Sequence, residues 1–513
     1  MPSSAIFMSK RSPIVASLFG NPDRLISGGL ALTPLPQRRA MQTEFKRFQG
    51  SLLAGTDLDY SRDIQPWAGD EMTWALTTTD WDRDSANGQQ PGYLVAIATD
   101  KPEQAREALD KFWQKRVGKG ATLVAENYIG VPIVHAAESL ASAVVGDRFV
   151  LFANHPKVLR DALNNAQVPE LNLSDSKTYQ EITDNLPADS LGLTVINLPQ
   201  LATQWSDSLP LNPLYDRLVM TVKLDPQGLL ADTTLLPMDG TKAVTKMTPP
   251  VLSTPVDALK FIPQNAVVTA SGTNVKQVLA QLETGLAGYD AIAQHLQQPI
   301  AQLEEKWRID LSEDVLSWMP GEYALGILPR STDAADWVFV TWQTPETTTG
   351  LERLNAIAQT QGVSLGSVPL GETKITAWTT LQTVPKPRAN SSKKLSGTEL
   401  MTIQAKVEGV HATVDGYEIF ATSLEAMEQA IQAAQTPMAD DRQRAIAALA
   451  SPNNGYLFVD NSGLRQWAEQ LPPDTRARLL LNYITSATVS NYGSDAQGLH
   501  NGVLIQIGKV LHG

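Results

Sequence analysis

The stretch DLDYSRDIQPWAGDEMTWAL (Asp57–Leu76) has a diverged counterpart, IDLSEDVLSWMPGEYALGI (Ile309–Ile327), in the second half of the chain. Asp59, Asp63, Trp67 and Gly69 fall at the places of Asp310, Asp314, Trp318 and Gly321. Outward from this pair the likeness continues in the same order. Phe7–Ser17 answers Phe261–Ser271 without a gap, and Gly92–Leu109 answers Trp337–Leu354. Val144–Leu163 pairs with Thr413–Ile431, Gly192–Leu201 with Gly455–Leu464, and Asp225–Leu235 with Ser494–Leu504. Matching blocks in one fixed order predict a tandem duplication, and a period of roughly 250 residues is that of a whole domain rather than a solenoid repeat.

Between the two series lies PMDGTKAVTKMTPPVLSTP (Pro237–Pro255), whose Pro, Thr and Gly mark an interdomain linker. The expected organisation is a first α+β repeat over 1–240, a linker over 241–257 and a second repeat over 258–513. VPKPRANSSKKLSG (Val384–Gly397) has no counterpart in the first series and reads as an exposed basic loop.

Apolar, β-branched runs at Ile14–Leu18, Tyr93–Ala98 and Val144–Phe152 read as strands. After Asp100, the spacing of Ala105, Leu109, Phe112 and Trp113 predicts one buried helix face, with Pro102 in its first turn. Leu424, Met427, Ile431 and Ala434 form a similar stripe, as do Leu464, Trp467, Ala468 and Leu471. AENYIGVPIVHA and VKLDPQGLLAD carry short Gly or Pro turns between alternating runs and predict hairpins. Closely spaced strands with intermittent helices predict an α+β fold of two tandem copies of one domain, each a mainly antiparallel sheet packed with helices. In the opening stretch this places a helix end, a tight Trp–x–Gly turn and a strand. Trp67 and Trp318 then fill equivalent core positions, and Gly69 and Gly321 supply a backbone conformation other residues resist.

A chain of 513 residues exceeds one ordinary core, and 42% hydrophobic content suffices for packed interiors. The formal charge of -13 repels phosphate backbones and argues against nucleic acid as a partner. The absence of cysteine excludes disulfides, thiolate metal sites and cysteine nucleophiles. No apolar run of about 18 residues is present, so no segment of the sequence reads as a membrane-spanning helix. MPSSAIFMSKRSP is too polar for the apolar region of a signal peptide.

Asp57, Asp59, Ser61 and Asp63 alternate like the start of a calcium loop. Arg62 and Ala68 stand where such a loop needs its glycine and its bidentate glutamate, so the reading fails. Asp80, Asp82 and Asp84 precede an Asn87–Gly88 turn; alternate carboxylates can converge on a hard cation, but a solvated loop is the favoured reading. The six histidines are scattered, no nucleophile elbow, zinc-protease motif or phosphate loop occurs, and VGKGAT (Val117–Thr122) lacks the required glycine spacing. No catalytic, cofactor or metal residue is assigned. The candidates for partner contact are Arg38, Arg39, Lys46 and Arg47, together with Asp80, Asp82, Asp84 and the basic Lys386–Lys394 loop.

SLLAGTDLDYSRDIQPWAGDE, GQQPGYLVAIATDKPEQAREALDKFWQKR and VASLFGNPDRL resemble a cyanobacterial family known as domain-of-unknown-function family 3352. The resemblance implies a large soluble region that usually follows a hydrophobic N-terminal segment, and it carries no catalytic residue. The expected function is a non-catalytic protein, membrane-associated or extracytoplasmic, supporting assembly or maintenance of photosynthetic membrane complexes. Its expected place is the thylakoid lumen or periplasm, or the cytoplasm if the start is genuine, with a protein or membrane surface as partner. The alternative is a carrier of a hydrophobic ligand held between sheet and helices.

Overall fold

The computed structural model of the chain describes residues 2–20, 59–84, 86–137, 139–204, 209–210, 213–238, 250–285, 288–289, 293, 301, 304–305, 308–330, 335–385, 401–469 and 484–507. The first half contributes β1 (Ile14–Phe19), β2 (Glu71–Thr78), β3 (Gly92–Ala98), β4 (Leu123–Tyr128) and β5 (Val131–Ala136). It continues with β6 (Ala141–Val145), β7 (Phe149–Ala153), β8 (Gly192–Asn197), β9 (Tyr215–Asp225) and β10 (Gly228–Pro237). The second half contributes β11 (Val268–Gly272), β12 (Tyr323–Leu328), β13 (Asp336–Trp342), β14 (Ser364–Leu370) and β15 (Thr373–Pro385). It ends with β16 (Met401–Val414), β17 (Tyr417–Ala421), β18 (Gly455–Asp460), β19 (Ile484–Ser494) and β20 (Leu499–Ile507).

Every pairing among these strands is antiparallel, and together they form one 20-stranded sheet. In the first half the pairings run β4-β5-β6-β7-β3-β2-β1-β8-β9-β10. In the second half they run β14-β15-β16-β17-β13-β12-β11-β18-β19-β20. The halves join where β10 pairs with β20, from Leu229 opposite Ile505 to Leu235 opposite Leu499, with Asp232 facing Gly502 at the middle. β10 begins at Gly228 and β20 just after Gly498, and a Cβ on Gly228 or Gly498 would collide with the carbonyl of Ile505 or Leu235. The same close approach thus occurs at both ends of the junction.

Helices cover both faces. They are α1 (Pro102–Gly118), α2 (Pro156–Gln167), α3 (Lys177–Asp184), α4 (Leu198–Ala202), α5 (Val275–Gly285), α6 (Pro345–Thr360), α7 (Leu424–Ala433), α8 (Asp440–Ala447) and α9 (Asn461–Glu469). Pro102, Pro156 and Pro345 sit in the first turns of α1, α2 and α6, where a missing N–H costs nothing. Thr344 and Ser423 cap α6 and α7 by accepting from the backbone N–H groups of Thr347 and Ala426.

The strand period of two divides the interior. On β7 all five residues are buried: Phe149, Leu151 and Ala153 pack with Phe7, Leu159 and Leu163, whereas Val150 and Phe152 pack with Trp67, Ala105 and Leu109. On β17, Tyr417, Ile419 and Ala421 join Phe261, Ala426 and Met427, while Phe420 joins Leu316, Trp318 and Met319. The predicted face of α1 is borne out, with Ala105, Leu109, Phe112 and Trp113 all buried.

Two expectations are corrected. Val144–Phe152 is not one strand: Gly146 and Asp147 turn the chain between β6 and β7 with φ of 57° and 55°. Asp415 and Gly416 do the same between β16 and β17 (φ 50° and 80°), the left-handed pair that two-residue hairpins demand. Gly69 and Gly321 do not have left-handed φ values. They make room instead, since a Cβ on Gly69 would lie 3.1 Å from the Ala98 carbonyl and one on Gly321 3.0 Å from the Trp342 Cβ. Residues 241–249 of the expected linker lie outside the described residues, and its later part is packed: Leu252 bridges to Asn453 and Val256 is buried.

Candidate interaction surface

The carboxylates of the opening stretch organise backbone. Asp59 accepts from the Arg62 N–H at 2.9 Å, and Asp63 accepts from the Asp59 N–H at 2.8 Å, a reciprocal cap around one π-helical turn, Tyr60–Ile64. The Trp67 indole N–H then donates to the Asp63 carbonyl at 2.7 Å. The counterpart stretch repeats the set: Asp310 with Glu313 at 2.9 Å, Asp314 with Asp310 at 2.9 Å, and Trp318 with the Asp314 carbonyl at 2.6 Å. Trp67 is 2% exposed and Trp318 7%, so both indoles are core rather than ligand-facing. Hydrogen bonding from Arg62 holds the Asp63 carboxyl below its usual range.

Sequence reasoning missed the next residue in this series. Glu71 accepts from the N–H and hydroxyl of both Ser3 and Ser4, fastening the 3-10 helix Ser3–Phe7. Glu322 accepts from the Ala258 N–H at 3.2 Å and from the Tyr417 hydroxyl, fastening Asp257–Phe261. The available signal was the shared spacing from tryptophan to glutamate, Trp67 to Glu71 and Trp318 to Glu322, which the glycine match had hidden.

Asp80, Asp82 and Asp84 do not converge on a common point. Asp80 accepts from the Gln90 N–H at 3.2 Å, Asp82 from Asn87 Nδ2 at 2.8 Å and Asp84 N–H at 3.1 Å, and Asp84 from the Ala86 N–H at 3.0 Å. Hydrogen bonding from Asn87, then from the Asp84 backbone, lowers the Asp82 pKa. Among the described residues no group of three or more His, Cys, Asp or Glu could hold a metal. The neighbouring Trp81 ring stacks on His155 at 3.6 Å between centroids, and Lys157 donates to the Trp81 carbonyl, anchoring the loop on α2. Arg38, Arg39, Lys46, Arg47 and the Lys386–Lys394 loop lie outside the described residues.

The halves diverge most at one hairpin. In the first half β5 and β6 have six and five residues. At the matching place β15 and β16 have thirteen and fourteen, so strand continues to Pro385, into the stretch expected to be loop from Val384. β14 accompanies this hairpin only to Thr379 and β17 only to Val410. Past those points β15 and β16 pair only with each other, from Thr380 opposite Lys406 to Pro385 opposite Met401, as a two-stranded ribbon. Leu381 faces Ala405 and Thr383 faces Ile403, which puts both aliphatics on one face. Leu381 is 72% and Ile403 71% exposed, and no other large apolar side chain among the described residues is more so.

The ribbon's base is pinned by polar contacts. Glu408 accepts from Thr380 at 2.8 Å and Lys406 at 3.0 Å. Deeper in, buried Glu418 bonds His411 Nδ1 at 2.8 Å and the Thr413 hydroxyl at 2.7 Å. The Trp378 ring lies 5.2 Å from His411, its N–H donating to Asn355 on α6 at 2.7 Å. The corresponding strand positions of β6 and β7 carry Ser142 and Val150, so this buried His411–Glu418 pair belongs to the ribbon-bearing half. Separately, a cleft of about 340 Å³ lies among Pro255–Gln264 and Ala433–Met438, lined by a 3-10 helix and the end of α7 rather than by the sheet.

Fold and surface together define a helix-covered, antiparallel α+β protein with one projecting ribbon. The chain belongs to the family of proteins of unknown function DUF3352, whose model matches residues 1–507. No curated protein matches it. Among solved structures it is similar to TP0453 in crystal forms III and I, at 8% identity and TM-scores of 0.26 and 0.27. Each match covers 47% of this chain, and 82% or 81% of the other, a likeness too slight to carry a fold or a role. No helix among the described residues is long and apolar enough to cross a membrane.

Proposed function

We propose that the chain is two tandem copies of one α+β domain acting as a non-catalytic, membrane-associated protein, with its docking element on the second copy. The shared strand order and the repeated Asp–Asp–Trp–Glu hydrogen-bond series support the duplication. The family resemblance is what supports a photosynthetic membrane, with the thylakoid lumen or periplasm as its place. The observation that carries the docking role is the ribbon with exposed Leu381 and Ile403, which the described residues of the first half lack. An exposed aliphatic pair beyond the sheet adds nothing to the described core, which is what favours reading it as the docking face.

Fractionation of cells producing the full chain tests this reading. The protein should sediment with membranes and be released by detergent; recovery in the soluble fraction alone contradicts it. The carrier reading has one observation in its favour, the 340 Å³ cleft, near the lower end of ligand-sized sites. A fluorescent fatty acid bound stoichiometrically there, and lost on Leu259→Trp, would favour the carrier.

A further inference from the structure

We propose that the cleft between Pro255–Gln264 and Ala433–Met438 takes an extended peptide segment of a partner protein, paired to the Ile262 carbonyl and the Gln264 N–H with one aliphatic side chain buried beneath. The inference rests on the duplication proposed above and adds a second docking site to the second copy. The first half shows what covers this place. There the segment Leu171–Leu173 crosses the end of the 3-10 helix Ser3–Phe7, with Ser9 bridged antiparallel to Asn172. The Lys10 N–H donates to the Leu171 carbonyl at 3.0 Å, and the Leu173 N–H to the Met8 carbonyl at 2.8 Å. The Leu173 side chain is buried in the core beside them.

The second half has the same backbone without the cover. Ile262 repeats the conformation of Met8, with φ -88° and ψ 116° against -92° and 138°. Its N–H donates to the Leu259 carbonyl as that of Met8 does to Ala5, and Ala266 donates to Pro263 as Ser12 does to Ser9. Yet neither the Ile262 carbonyl nor the Gln264 N–H has a hydrogen-bond partner among the described residues. Pro263, at the place of Ser9, is no obstacle, because the bridge uses the groups on either side of it. The chain that would cover them is shorter. From the end of α2 at Gln167 to the start of α3 at Lys177 there is room for the turn Leu173–Asp175, whereas α7 ends at Ala433 and α8 begins at Asp440. Ala433 also stands in place of Asn165, whose Nδ2 donates to the Phe7 carbonyl at 3.2 Å. What stays open is the cleft of about 340 Å³, with Val256, Leu259, Ile262 and Met438 in its lining. An acceptor and a donor two residues apart on extended chain, beside apolar side chains, are what an added strand pairs with. A fatty acid can engage the donor through its carboxylate but offers nothing to the carbonyl; a peptide uses both groups.

The test is calorimetric titration of the full chain with the capped peptide PELNLSD (Pro169–Asp175), the first half's own covering segment. It should bind with a dissociation constant below about 1 mM. Methylating the Leu173 nitrogen of the peptide removes the donor to Ile262 and should weaken binding roughly tenfold. Leu173→Asp in the peptide should cost roughly tenfold or more, because the buried aliphatic is lost. Both changes leave the protein untouched, so neither result depends on a variant folding. Met438→Trp in the protein should fill the cleft and abolish binding, with circular dichroism checking the fold. No binding within that limit, or equal binding by the methylated peptide, overturns the assignment. So does a fluorescent fatty acid bound in the cleft where the peptide is not, which would favour the carrier. Failure of the peptide removes the cleft assignment alone, since the paired tryptophans test the duplication separately.

Discussion

The two halves of the sheet run through their strands in the same order, yet at the hairpin next to β7 and β17 they part company. The first half closes that hairpin with His135 opposite Ala141; the second extends it to Pro385 opposite Met401. The difference shows where this architecture is free to change. β7 and β17 are buried along their whole length, so each residue answers to helices on two sides. Past Thr379 and Val410 the described part of β15 and β16 pairs with no third strand, and added length there costs only slowly growing loop entropy.

The comparison breaks most readily at the paired tryptophans. Trp67→Ala and Trp318→Ala should each cost about 3–5 kcal/mol in urea unfolding, as emptied core aromatic sites do. A loss at one position alone would mean the two stretches do not hold equivalent places. The second half has an added constraint, because a Cβ on Gly350 of α6 would collide with the Trp318 ring. Gly350→Ala should therefore destabilise by about 1–3 kcal/mol despite adding a better helix former, and an unchanged midpoint would refute that packing.

Replacing the glutamates sharpens the comparison further. Glu71→Ala frees four donors and Glu322→Ala two, so both should destabilise, Glu71 more, on the order of 1–2 kcal/mol. The smallest expected effect is on acid stability. The Asp63 pKa is lowered by hydrogen bonding from Arg62, so its contribution is present above the unfolded value, about 3.9, and is lost as pH falls through the lower folded value. Asp63→Asn should lower stability at neutral pH and flatten that acid limb. An acid limb as steep as the native one would remove Asp63 from the account.

Much of this was legible in the residues. The helical stripe of Ala105, Leu109, Phe112 and Trp113 and the hairpins around Gly130 and Gln227 have local causes, which periodicity and turn chemistry report directly. The adjacency of β3 to β7, and of β10 to β20, has no local cause; nothing in Leu229–Leu235 names Leu499–Ile505 as its partner. Glu71 escaped notice because its partners, Ser3 and Ser4, are remote in sequence. The ribbon escaped because its length is set by a hairpin partner rather than by burial: Ile403, Ala405 and Val407 alternate with polar residues as a strand does, but only the pairing with β15 shows that they extend past the sheet. In the loop of Asp80, Asp82 and Asp84 the carboxylates beside Asn and Gly satisfy their own turn, as residues of this type do from sequence alone.

Amide hydrogen exchange across the junction tests the central claim, that two like-ordered halves make one continuous sheet through β10 and β20. Backbone amides of Leu229–Leu235 and Leu499–Ile505 should exchange as slowly as those of Val15–Leu18 in the interior strand β1. Exchange as fast as that of β4, whose outer edge pairs with no strand among the described residues, would make β10 and β20 free edges and would contradict the account.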